Sequence, residues 1–182
     1  MQRNFRTFFG VVLILAGLLL IAQRMGFVGG QWDDALMALV FSAGTVFFAN
    51  QFIGDRRRWW AALVAFIFLG AAISQFMEVF LPMVPGFYAG ASILLLIGIG
   101  FLAVYFIDRQ MWWALIPGGV MLSLTALIAV EELVPQASFE EAGILFFGLG
   151  LTFLTLYFIR VPGPRLSWAI YPALSLLLFS LF

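Results

Sequence analysis

Glu78 and Glu131 close two long apolar runs in the same manner, as Glu78-Val79-Phe80-Leu81-Pro82 and Glu131-Glu132-Leu133-Val134-Pro135. With Glu132, and with Glu140 and Glu141 close by in sequence, they are the residues best suited to chemistry. Clustered carboxylate oxygens can hold a cation or a cationic partner. The competing reading is that carboxylates at a helix end stand in interfacial water, where charged groups normally sit. A helix C-terminus disfavours negative charge, which sharpens interest in a counter-ion without requiring one. The densest charge cluster is Asp55-Arg56-Arg57-Arg58. Arg56, Arg57 and Arg58 are candidate contacts to anionic lipid of the inner leaflet, worth about 1 kcal/mol per arginine. The same charges also serve simply to orient the chain.

Most other chemistry is excluded by composition. The 182 residues include no cysteine, no histidine and no lysine. Disulfides, thiolates and iron–sulfur clusters are ruled out, and the usual haem ligand and commonest zinc ligand are missing. A Ser–His pair and the His-Glu-x-x-His motif both need histidine. Asp55 and Asp108 stand beside arginines in short connections, not as a carboxylate dyad. No ionisable residue falls in the middle of an apolar run, which disfavours a proton-coupled pump. The mid-run polar residues are Ser42, Thr45, Ser92, Ser123, Thr125, Thr152, Thr155 and Ser175. Their hydroxyls are expected to bond back to their own helices. No enzyme activity, metal or cofactor is expected. Nucleic acid is not an expected partner either, because no basic domain exists to meet it.

The elements that carry these residues are apolar runs at 7–22, 35–53, 59–81, 87–107, 112–134, 142–159 and 166–182. With 64% hydrophobic and 10% charged residues, the chain has too little polar surface to cover a soluble domain. Runs of this length cross a bilayer as helices, since backbone amides in lipid must be satisfied within the segment. The expected fold is an all-α integral membrane protein of seven transmembrane helices in one domain.

The runs repeat. Aromatic residues open the odd runs: Phe8-Phe9, Trp59-Trp60, Trp112-Trp113 and Trp168. Even runs end as Phe52-Ile53-Gly54-Asp55-Arg56, Phe106-Ile107-Asp108-Arg109 and Phe158-Ile159-Arg160. The period is about one helical hairpin, giving parallel units of about 1–53, 54–107 and 108–159, with a half unit at 160–182. Gly44, Gly98 and Gly150 fall at equivalent depth and are candidate helix-packing positions. Trp59, Trp60, Trp112, Trp113 and Trp168 are candidate interfacial anchors. Pro117 and Pro172 are expected to kink their helices.

With seven crossings, Arg3, Arg6, Arg56, Arg57, Arg58, Arg109, Arg160 and Arg165 share one side, and Arg24 alone lies on the other. The positive-inside rule then places the N-terminus in the cytoplasm and the C-terminus outside.

The run Trp112-Trp113-Ala114-Leu115-Ile116-Pro117-Gly118-Gly119-Val120, followed by Phe147-Gly148-Leu149-Gly150-Leu151-Thr152-Phe153, resembles a group of uncharacterised bacterial multi-pass membrane proteins. Those proteins repeat short hairpins with a Trp at each inner interface. The resemblance covers residues 112–182 well and the first half loosely, where Trp59-Trp60-Ala61 lacks the following Ile-Pro. It implies the bacterial inner (plasma) membrane and no mechanism. The expected role is a non-enzymatic scaffold or accessory subunit that packs against itself or a larger membrane complex. The alternatives are a channel or transporter for a neutral or lipid-like solute, and an envelope sensor using the outer carboxylates.

Overall fold

The computed structural model describes residues 17, 21, 32–81, 83–133, 141–159 and 166–181. Among them, every regular element is helical. The helices are α1 (Trp32–Gly54), α2 (Trp59–Phe80), α3 (Phe87–Ile107), α4 (Leu115–Leu133), α5 (Glu141–Phe158) and α6 (Ile170–Phe179). Three-residue 3-10 turns, Trp112–Ala114 and Ser167–Ala169, lead into α4 and α6. Four stretches are long and apolar enough to cross a membrane: Ala35–Gly54, Trp59–Phe80, Phe87–Ile107 and Trp112–Leu133.

The two later helices are shorter. Ser167–Phe179 is about 20 Å long at ~1.5 Å per residue, against a hydrocarbon core of ~30 Å. The first expected segment, 7–22, lies outside the described residues apart from Gly17 and Ile21, both helical. Arg3, Arg6, Arg24, Glu140, Arg160 and Arg165 also lie outside them, as does the Glu141 side chain.

Short connections follow from local turn chemistry. The Asp55 carboxylate accepts the Arg57 amide at 3.1 Å, and its carbonyl accepts the Arg58 amide at 3.0 Å. Asp108 does the same for the Gln110 amide at 2.9 Å and the Met111 amide at 2.9 Å. Aspartate side chains favour such turns because they satisfy a backbone amide two residues on. The helices so joined run antiparallel.

Pro117 and Pro172 stand nearer the start of their α-helices than the kink reading supposes. Each is the third residue of its α-helix, within the first turn, where amides lack an ordinary intrahelical acceptor and a proline ring is tolerated. The local departure from α geometry is the 3-10 turn just ahead.

Along the backbone, each described helix packs on its neighbours in sequence, and no other described pair makes more than slight contact. Among the described residues the helices form an open series and not a closed bundle. Leu39, Val46, Ile53, Phe76, Phe106 and Phe158 are all half or more exposed. A surface of this kind requires lipid or protein cover. The tightest packing gathers at the arginine-bearing end. Ala61, Ala114 and Ala169, one in each aromatic opening, have no exposed surface at all. Each donates the same turn bond, from its amide to the carbonyl of Arg58, Met111 or Leu166, at 2.9–3.0 Å.

Candidate functional site

Alternate helices meet through tryptophan at that end. Trp59 lies edge-on to Trp113 at 5.5 Å between ring centroids, and Trp112 to Trp168 at 6.4 Å. Trp59 and Trp112, the first ring of each pair, reach forward, to Trp113 and Trp168. A phenylalanine of the preceding helix completes each unit: Phe48 on Trp60 at 6.3 Å, Phe101 on Trp113 at 6.5 Å and Phe153 on Trp168 at 6.1 Å. Edge-to-face geometry matches the positive rim of one ring to the negative face of the next.

The three glycines recur in the same manner, each facing the helix that follows. A Cβ at Gly44 would strike the Phe68 ring, one at Gly98 would lie 3.1 Å from Leu122, and one at Gly150 would lie 2.7 Å from Leu177. A second pattern was not singled out by sequence. Gly119 and Ser123 on α4 face Gly148 and Thr152 on α5 reciprocally: Thr152 fills the Cβ position of Gly119, and Ser123 fills that of Gly148. The two hydroxyls are satisfied within their own helices, Ser123 donating to the Gly119 carbonyl at 2.8 Å and Thr152 to the Gly148 carbonyl at 2.9 Å. The spacing Gly-x-x-x-Ser and Gly-x-x-x-Thr was the available signal, since small residues four apart share one helix face.

Five of the other mid-helix hydroxyls behave alike, whereas Ser175 and the buried Ser74 make no such bond. Ser42, Thr45, Ser92, Thr125 and Thr155 each donate to a carbonyl three or four residues earlier. They therefore offer little free donor capacity to a solute.

The charged candidates divide. Arg58 is tied back into its turn, 3.3 Å from the Asp55 carboxylate and donating to Gln51 Oε1 at 2.7 Å. Arg56 lies over the Phe52 ring at 5.1 Å. The Arg57 side chain is exposed, with no partner among the described residues. At the opposite end, Glu78 is exposed and accepts a hydrogen bond from Gln75 Nε2 at 3.2 Å. Glu131 and Glu132 are exposed at the end of α4. Among the described residues, no group of three acidic side chains gathers where a metal ion could be held.

Between α4 and α5 runs a groove of about 430 Å³, open to the side, with Leu102 of α3 and Leu115 of α4 at its arginine-side end. Gly119 and Ser123 contribute from α4, and Phe147 and Leu151 from α5. Its lining runs from the arginine-side ends of both helices, at Leu115 and Thr155, past their middles to Ala126 and Ile144.

No family model, curated protein or solved structure matches the chain. The resemblance carried by the Trp-Trp-Ala runs therefore brings no activity or partner with it.

Proposed function

We propose that the chain is a non-enzymatic scaffold or accessory subunit of the bacterial inner membrane that acts by helix packing, on itself or on a larger complex. In this reading it crosses the membrane seven times in three and a half parallel hairpins, with the N-terminus in the cytoplasm. The observation that carries the role is the open series of helices. Each described helix is held by its neighbours in sequence, and the apolar flanks exposed among the described residues are suited to other helices. The self-bonded mid-helix hydroxyls support it, because a path for a polar solute needs unsatisfied donors or acceptors. The side-opening groove favours a second reading, a carrier for a lipid-like solute.

Purification of the tagged full chain from its native membrane in mild detergent tests the role. A reproducible partner in fixed ratio, or a defined homo-oligomer, is the expected result. A lone monomer that moves a lipid-like solute between liposome leaflets would replace this reading with the second. Topology has its own test, made simple by the natural absence of cysteine. Arg57→Cys and Gln110→Cys are expected to react with impermeant maleimide only after the cytoplasmic face is opened. Met83→Cys and Glu132→Cys are expected to react from outside in intact cells with the outer membrane permeabilised. Labelling of all four from one side would overturn the orientation.

A further inference from the structure

Arg109 stacks on aromatic rings as Arg56 does, and differs in that one of its two rings, Tyr105, is buried. Asp108 leaves α3 in extended conformation (φ −137°, ψ 110°), and its carboxylate is engaged by the Gln110 amide at 2.9 Å. Arg109 forms no ion pair with any described residue. Its guanidinium folds back over α3, with its central carbon 4.6 Å from the Tyr105 ring centroid and 4.9 Å from that of Phe106. Stacking occupies the face of a guanidinium and leaves its in-plane N–H donors for an oxyanion. Tyr105 is buried in the cluster that holds Leu115 and Leu156, with Leu102 packed alongside. Leu102 and Leu115 are also the first residues of the groove between α4 and α5. Cation, ring and apolar groove therefore follow one another from the interface into the apolar layer. The groove volume of about 430 Å³ is within the ~300–1,000 Å³ range of small-molecule sites.

The geometry points to a binding site for one anionic phospholipid, with its phosphate on Arg109 and one acyl chain in the α4–α5 groove. Charge complementarity selects the headgroup. A zwitterionic headgroup carries its own cation against the phosphate and gains less from Arg109. A free phosphate shares the headgroup chemistry but has nothing to place in the groove. The site rests on membrane placement and is independent of the scaffold role. Its failure would leave partner recovery unchanged, and loss of a partner would leave lipid binding unchanged.

The test is native mass spectrometry of the detergent-purified full chain with phosphatidylglycerol or phosphatidylcholine of identical chains. One phosphatidylglycerol per chain is expected to be retained about tenfold better than phosphatidylcholine, as for a hydrogen bond between charged groups. Arg109→Gln is expected to remove that preference. Arg109→Lys keeps the charge but not the planar fork, and is expected to retain part of it. Ala126→Phe adds bulk in the groove from an exposed position and is expected to lower retention of both lipids. Millimolar inorganic phosphate is expected not to displace the bound lipid. Equal retention of the two lipids by the native chain, or an unchanged preference in Arg109→Gln, would overturn the headgroup assignment. Displacement by inorganic phosphate, or full retention in Ala126→Phe, would overturn the acyl-chain assignment.

Discussion

Gly98→Leu is expected to force α3 away from α4 and to cost about 3 kcal/mol, the upper range for overpacking a well-fitted contact. A Cβ at Gly98 would lie 3.1 Å from Leu122 and 3.2 Å from the Gly118 carbonyl oxygen. Leu122 can turn aside. The carbonyl cannot, because it belongs to the backbone of α4. The contact is mutual, since a Cβ at Gly118 would meet the Gly98 carbonyl oxygen at 3.4 Å and the Phe101 Cβ at 3.2 Å. Two helix backbones approach here with no side chain between them. In lipid, where tails are as apolar as leucine, such van der Waals contact does much of what the hydrophobic effect does in water. Gly90 on the same helix supplies the comparison, because a Cβ there meets nothing within 4 Å. Gly90→Leu is expected to be neutral or slightly stabilising, through better helix propensity. Thermal unfolding of the two variants in the same mild detergent separates the cases. Equal midpoints would mean that the α3–α4 contact does not limit stability.

The sequence made the helices legible because each apolar run is long and uninterrupted, and a lone helix satisfies its own backbone. The turns at Asp55 and Asp108 were legible as charge breaks between runs. Buried faces were not. A helix that is apolar all round has no face that composition can identify, and here both the packed and the lipid-facing sides are apolar. Gly44, Gly98 and Gly150 stood out because glycine is costly in a helix and its depth repeats. Ala61, Ala114 and Ala169 did not stand out, although they are the most enclosed residues of the aromatic openings. Alanine suits a helix anywhere, so its presence alone carries no position. The reciprocal Gly119–Thr152 and Gly148–Ser123 contacts needed the antiparallel register of α4 and α5. The groove beside them depends on how far Leu102 and Phe147 stand apart, which no periodicity reports. The helical position of the prolines was hidden for a simpler reason. A helix taken to start at Trp112 puts Pro117 past its first turn, whereas the 3-10 turn Trp112–Ala114 moves the α-helical start to Leu115.

Leu156→Ala is expected to be among the most damaging truncations, at about 2–3 kcal/mol, the lower part of the range for buried leucine. The lower part applies because lipid removes most of the water-transfer component and leaves lost dispersion and the cavity. Leu156 has no exposed surface. It joins Tyr105 at the end of α3, Leu115 at the start of α4, and Leu166 and Ala169 ahead of α6. Together with the Trp112–Trp168 contact, this cluster ties the last two hairpins together. Its surroundings close poorly over a void, since Ala169 of the same cluster already has no exposed surface and its side chain has no rotamers to adjust. Leu151 lies on the same helix, facing the groove and 43% exposed. Leu151→Ala is expected to change stability by no more than about 0.5 kcal/mol, as for a surface position. Unfolding of both variants in one detergent reads the difference directly. A matching loss for both would show that α5 is held along its whole length and not at the arginine end. If the loss falls on Leu156 alone, the mid-membrane flanks can part or take up a guest without unfolding the protein. That property would suit the proposed packing of a lipid or another helix against the described flanks.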